Sequence, residues 1–334
     1  MNGADKAGGA DVLLICGNFF GYPKEIVRQL EARGRKVAWF EDRPATDSLT
    51  KAAIRLAPRL VAGRADAYFR GIITQMRGQP IRDVLVIKGE ALSPAAIRDM
   101  RAAFPGARFT LYFWDSYRNM PADSHVKVGL FDRALSFDPG DVQDDLRLRY
   151  RPLFFVESFA RVPDLARDID ILFVGTMHGD RFKVVQRLAR ALPPDVRFRH
   201  LLYFPARWLF GAHTLCNPGL MGAKADAITF TPKSRAELAE MVGRSHAVLD
   251  IERPVQAGFT MRTLEVLGAG RKLITTNAEV AKADFYDPAN IAVIDRKTPR
   301  LPAGFLTTPF RPVAPDILYR YSIAGWLDEI LSPA

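Results

Sequence analysis

Short apolar runs alternate with longer amphipathic stretches along the chain. Val12 to Cys16 is a continuous apolar run ending in Gly17-Asn18-Phe19-Phe20-Gly21, and a helical pattern from Pro23 to Ala32 follows and stops at Gly34. Lys36 to Phe40 reads as the next strand, Leu49 to Met76 as a helical region, and Asp83 to Ile87 as a strand ending in Lys88-Gly89-Glu90. Ser93-Pro94 opens another helix, with Ser93 as N-cap and Pro94 in the first helical position. Arg108 to Phe113 is a strand ending in Trp114-Asp115-Ser116, and Arg133 to Phe137 a further one followed by Asp138-Pro139. Strands that are apolar throughout, with helices between them, predict a parallel sheet covered on both faces.

The alternation then restarts. Asp168 to Val174 reads as a strand ending at Gly175-Thr176-Met177-His178-Gly179, followed by a helix from Asp180 to Leu192 and a strand from Phe198 to Phe204. After a less regular patch holding Trp208, Leu209 and Phe210 come Ala227 to Phe230, the helix Ser234 to Val242, the strand Ala247 to Ile251, the helix Thr260 to Leu267 and the strand Lys272 to Thr276. This predicts a second parallel sheet, so the expected fold is α/β with two Rossmann-like domains. Pro163 and the charges of Phe155 to Arg167 break the pattern, which sets an N-terminal domain at residues 1–160 and a C-terminal one at 161–315. Asp316 to Leu331 reads as one amphipathic helix within a tail, 316–334, expected to pack back on the N-terminal domain.

Length agrees, since 334 residues suit two α/β domains of roughly 150 residues better than one core. Nearly half of the residues are apolar and a quarter charged, which excludes a disordered chain. The two cysteines, Cys16 and Cys216, lie far apart in apolar surroundings and suit a reducing compartment, the cytoplasm. The polar start, Met1 to Asp11, carries no export signal, and no apolar stretch of about 18 residues suggests a membrane span, so any membrane contact would be peripheral. A formal charge of +10 favours an anionic partner without naming it: nucleic acid, an anionic leaflet or a diphosphate-bearing substrate. Against nucleic acid, no recognised motif is present.

In open parallel sheets, ligands sit beyond the carboxyl ends of strands, where glycines admit the ligand and helix N-termini face anions. The densest polar cluster at such an end runs from Asp250 to Asn277. Gly258 precedes a helix and can free its first amides for a diphosphate, while the Thr260 hydroxyl can cap that helix or touch a phosphate. Arg262 and Glu265, three apart, share a helix face. They could address phosphate and ribose, or form an ordinary surface ion pair.

The order of these pieces resembles the donor half of GT-B glycosyltransferases. Ile228 to Ser234, with Phe230 and Lys233, supplies the first segment; a helix and a strand follow; then Gly258-Phe259-Thr260 and Leu264-Glu265-Val266-Leu267-Gly268-Ala269-Gly270 supply the signature helix. The resemblance implies sheets facing across a cleft and a nucleotide-sugar donor on the second domain, with no further cofactor. Over nearly the whole chain, Gly17 to Gly21, Lys88 to Ser93, Tyr112 to Ser116, Ser136 to Asp138 and Thr260 to Glu265 resemble CgeB-type glycosyltransferases of bacterial polysaccharide and lipopolysaccharide biosynthesis. That implies a glycan or lipid-linked acceptor. Many retaining GT-B enzymes carry two glutamates eight positions apart; here the first position is Ala257.

Donor-binding candidates are therefore Gly175, Thr176, Phe230, Lys233, Gly258, Phe259, Thr260, Arg262 and Glu265. The acceptor-side loop is Gly17, Asn18, Phe19 and Gly21. Asp115 and Glu90 end neighbouring strands, and either can take a proton from an acceptor hydroxyl. His178 can donate to the leaving diphosphate. No Cys/His cluster has zinc spacing, no Walker motif occurs, and acidic clusters suited to Mg²⁺ are lacking, which predicts a metal-independent reaction. Two other functions fit the same pattern: a nucleotide-sugar epimerase, which needs no acceptor, and a non-catalytic basic module binding an anionic polymer or membrane surface.

Overall fold

The computed structural model describes residues 9–44, 58–121, 123–162, 165–177, 179–207, 210–211, 214, 227–254 and 256–332, with the backbone alone at 58–62. The chain divides into two compact units, the first running to Leu153 and resuming at Ile323, the second spanning Phe154 to Ser322.

In the first unit β1 (Val12–Cys16), β2 (Val37–Phe40), β3 (Asp83–Ile87), β4 (Arg108–Phe113), β5 (Arg133–Ser136) and β6 (Leu148–Tyr150) form a parallel sheet in the order β2-β1-β3-β4-β5-β6. The apolar runs are the buried strands: β1 and β3 are buried at every position, paired from Val12↔Asp83 to Cys16↔Ile87. Helices α1 (Tyr22–Ala32), α2 (Pro58–Met76), α3 (Pro94–Ala103), α4 (Ser124–Val128) and α5 (Pro139–Asp144) connect them. Ser93 caps α3 as its sequence predicts, its Oγ accepting from the Ala96 amide at 3.1 Å. From β1 the chain moves outward to β2 on one side, then returns to build β3 through β6 on the other. The topological switch point lies between β1 and β3, where an open α/β sheet offers its ligand crevice.

The second unit opens with α6 (Glu157–Ala160) and repeats the plan with β7 (Ile169–Thr176), α7 (Arg181–Ala191), β8 (Phe198–Tyr203), β9 (Ile228–Thr229), α8 (Arg235–Gly243), β10 (Ser245–Asp250), α9 (Met261–Gly268), β11 (Lys272–Thr275), β12 (Ile291–Val293) and α10 (Pro315–Tyr321). All six strands are parallel, in the order β12-β11-β10-β7-β8-β9. Its switch point lies between β7 and β10.

Two expectations need correction. The units meet at Leu153–Phe154, not at residue 160. Phe154, Phe155, Val156 and Phe159 are buried, Phe155 pairs with Ser322 of the second unit, and α6 packs against α8 and α9. Pro163, which suggested the boundary, lies outside the described residues. The tail is likewise two helices and not one: α10 ends at Tyr321, and α11 (Ile323–Leu331) begins after extended Ser322. The break follows from pairing, because the Tyr321 carbonyl accepts from the Phe155 amide at 2.9 Å. Only α11 belongs to the first unit, where Trp326, fully buried, meets Tyr112 edge-on at 5.0 Å and the Glu329 carbonyl accepts from Arg133 at 2.6 Å. Among the described residues no helix is long and apolar enough to cross a membrane.

Candidate functional site

At the switch point of the second sheet, β7 ends in Gly175-Thr176 and β10 in Asp250, and Arg181, the first residue of α7, bridges the two. Its Nε donates to the Ile251 carbonyl at 2.8 Å and its Nη1 to the Thr176 carbonyl at 3.4 Å. No carboxylate among the described residues pairs with it. Burial pushes the guanidinium below its ordinary value; Asp250 and Glu252 oppose this, while Arg253 and Arg262 add to it. A guanidinium held by carbonyls keeps donors that an anion can use. Sequence reasoning missed Arg181, because an arginine opening a helix reads as a solvated residue and its two carbonyl partners, Thr176 at the end of β7 and Ile251 just beyond β10, come together only through the pairing of those strands.

The loop after β10 supplies the rest. Thr260 caps α9: its Oγ accepts from the Thr263 amide at 3.2 Å and donates to Asp250 at 2.6 Å. Thr263 Oγ gives the same carboxylate a second hydrogen bond at 2.7 Å. Of the two roles expected for Thr260, the structure shows the cap. The first-turn amides of α9 have no carbonyl partner within the helix, and the cap takes that of Thr263. Asn277 fixes that loop by donating to the carbonyls of Ala257 and Gly258 at 3.1 and 3.4 Å. Arg262 and Glu265 do form an ion pair, at 3.0 Å, with side chains only 17% and 6% exposed, so it is not a solvated surface pair. Arg253 is exposed and has no carboxylate partner among the described residues.

Other donor-side candidates sit differently. Phe259 is buried, its ring 5.5 Å from Phe285, which places it in the core and not against a ligand. Lys233 pairs with Glu237 at 2.8 Å, inside a capping box in which Ser234 and Glu237 bond reciprocally at the start of α8. The Phe230 ring lies under the Arg207 guanidinium at 4.9 Å and 6.0 Å from Phe210. His178, Trp208, Leu209 and Cys216 lie outside the described residues. Glu252, which Arg296 holds at 3.0 Å and Thr276 at 2.5 Å, is buried, and burial raises its carboxyl above the usual range.

At the switch point of the first sheet the acceptor-side candidates gather. Gly17 is required by close approach, because a Cβ there would meet Asp42 Oδ1 at 2.8 Å. The Asn18 amide donates to Glu41 at 2.9 Å, and Phe19 packs edge-on against Trp114 at 4.9 Å. Gly21 precedes α1 in the left-handed region. Asp115 forms an ion pair with Lys88, whose Nζ lies 5.2 Å from the Phe19 ring centre. Asp115 keeps 32% of its side chain exposed, whereas Glu90 is 4% exposed with Arg43 at 3.6 Å, so Asp115 is the carboxylate a substrate can reach. Among the described residues no three His, Cys, Asp or Glu side chains form a group able to hold a metal ion.

No protein-family model and no curated protein sequence matches the chain. Solved structures do. The α,α-trehalose-phosphate synthase (UDP-forming) of Burkholderia xenovorans, solved with glucose-6-phosphate, is 14% identical with a TM-score of 0.61, over 96% of this chain and 98% of its own. Anabaena HepE with UDP and glucose is 11% identical with a TM-score of 0.55, over 97% of this chain and 100% of its own. The UDP-GlcNAc 2-epimerase of Methanocaldococcus jannaschii is 10% identical with a TM-score of 0.50, over 96% and 98%. Glycosyltransferases predominate among these similar structures, and the fold of this chain is the GT-B fold.

Proposed function

We propose that the chain is a glycosyltransferase, moving a sugar from a nucleoside-diphosphate donor held on the second unit to an acceptor hydroxyl held on the first. The observation that carries this reading is Arg181, a carbonyl-anchored guanidinium with no carboxylate partner among the described residues, at the switch point beside the N-terminus of α9. It takes the diphosphate together with Arg253 and the first amides of α9. Glu265, oriented by Arg262, accepts from ribose hydroxyls. The acceptor oxygen attacks the anomeric carbon, the bond from that carbon to the diphosphate breaks with its electrons leaving on the nucleotide, and the acceptor proton passes to Asp115. The arginines meet the leaving charge in this scheme, which makes it metal-independent. A polysaccharide, lipopolysaccharide or lipid-linked acceptor, and a cytoplasmic place at the inner face of a membrane, complete the reading.

Calorimetry with UDP, GDP and uridine tests it. Wild-type protein is expected to bind one diphosphate and not the bare nucleoside, and R181A to lose about 100-fold in affinity, about 2.7 kcal/mol, the worth of a charge-assisted contact. Equal affinity of R181A and wild type, or no diphosphate binding at all, overturns the donor assignment. The epimerase in the same fold favours a second reading, isomerisation of the nucleotide sugar. That reaction would run with donor alone, and product analysis without acceptor separates the two.

A further inference from the structure

Among the described residues only two non-glycine side chains sit on left-handed backbone, Phe20 at φ 50° and Lys88 at φ 68°. They follow β1 and β3, the two strands that flank the first sheet's switch point. Strained backbone of this kind persists where the surroundings over-determine it, and it gathers at binding sites. The surroundings here are visible. Lys127, on α4 and only 2% exposed, donates to the carbonyls of Gly89 and Glu90 at 3.2 and 3.4 Å and so clamps the turn that presents Lys88. Phe19, packed on Trp114, anchors the loop that leaves the Phe20 ring 85% exposed.

The charge around this end is already balanced from within. Lys88 is matched by Asp115, Arg43 by Asp42 and Glu90, and Lys127 by Asp123, with Glu41 a further carboxylate in the same loops. A phosphate arriving here would find no unpaired buried cation among the described residues and would have to displace a carboxylate. A sugar ring asks for something else, namely an apolar face to cover its C–H groups and neighbouring donors and acceptors for its hydroxyls. Phe20 offers the first and the Lys88–Asp115 pair the second. We propose that this end of the first sheet binds the terminal ring of an unphosphorylated saccharide, with Phe20 under the ring and Lys88 and Asp115 on its hydroxyls. The proposal rests on the glycosyl-transfer reading and names the acceptor class for it. It sets this chain apart from the trehalose-phosphate synthase solved with glucose-6-phosphate.

Saturation-transfer NMR on the full chain with UDP present tests it, using the methyl glycosides of glucose, galactose, mannose and N-acetylglucosamine beside glucose-6-phosphate. At least one glycoside is expected to bind, and to bind at least about tenfold more tightly than glucose-6-phosphate. F20A and K88M are each expected to weaken it about tenfold, the worth of one ring contact or one hydroxyl contact. R118A, which removes an exposed cation three residues beyond Asp115, should leave it unchanged. Tighter binding of glucose-6-phosphate, binding indifferent to F20A and K88M, or no glycoside binding overturns the proposal. If UDP still binds in that case, the transfer reading stands; if a glycoside binds as expected but no diphosphate does, the saccharide site stands and the transfer reading falls.

Discussion

The two sheets share one plan, yet their switch points are furnished in opposite ways. In the second unit the central cation, Arg181, is held by two backbone carbonyls and pairs with no carboxylate among the described residues. In the first, Lys88, Arg43 and Lys127 each face a carboxylate, and exposed Phe20 follows Phe19, whose ring lies 5.2 Å from Lys88. Carbonyl anchoring positions a guanidinium without neutralising it, so it remains available to an anion. Carboxylate pairing consumes the charge and leaves donors and acceptors suited to hydroxyl groups. On the proposed reading the same fold presents one end to a diphosphate and one to a neutral sugar, and the difference lies in what holds each cation.

The sharpest way to break this comparison is to neutralise the one accessible carboxylate of the first site. D115N keeps an acceptor atom for Lys88 and removes the base, so turnover of a nucleotide sugar should fall by about 10²- to 10⁴-fold, the usual worth of general-base catalysis. UDP affinity, set on the second unit, should not change. Steady-state rates and calorimetry on the same preparation check both halves. An unchanged rate would remove Asp115 from the chemistry and send the search for the base elsewhere.

Much of this was legible because fully buried parallel strands leave uninterrupted apolar runs: β1, β3 and β4 match the runs at Val12, Asp83 and Arg108. Caps were legible too, since Ser93 and Thr260 act through bonds to residues three positions away. What was hidden depends on distant partners. β6 and β12 are three-residue edge strands too short to show a period. The break at Ser322 exists because Phe155, far away in sequence, pairs there. Lys127 sits in a short polar-looking segment and is buried only because the Gly89 turn covers it. Arg262 and Glu265 were visible as a pair on one helix face, whereas Arg181 became meaningful only once β7 and β10 were known to be neighbours.

A second test concerns acids beside the first site that do not touch it. Asp141, which accepts from Ser136 Oγ at 2.6 Å and from the Tyr117 amide at 3.0 Å, is pushed up to about 6 by burial, with Asp138 and Asp144 adding to the rise. Asp145 is held down at about 2, chiefly by Arg147. The signs differ. Asp141 contributes stability that is full below the ordinary carboxylate range and is lost as pH rises through about 6. Asp145 contributes stability present above that range and lost as pH falls through about 2. Of these two only Asp141 varies between pH 4 and 6, and Glu252, which burial also raises, has the same sign, so urea unfolding should show the protein losing stability across that window. D141N should remove the share of Asp141, which discounted for solvent access amounts to about 1 kcal/mol. A slope unchanged by D141N would assign the loss to other groups.

The smallest effect expected is also informative, because it asks how far the diphosphate site extends. Lys233 stands in the segment whose order first suggested a donor pocket, and its charge seemed available for a phosphate. Its ammonium instead closes on Glu237, the same carboxylate that caps α8 and that Lys233, together with Ser234, holds down at about 2. By the rule that separates the two switch points, a cation spent on a carboxylate does not serve an anion. K233A should therefore leave UDP affinity within error of wild type and move Tm by no more than about a degree, as exposed ion pairs do. A tenfold loss of affinity would mean that the pair opens to receive the nucleotide, and carboxylate pairing would then no longer predict which cations are free to bind.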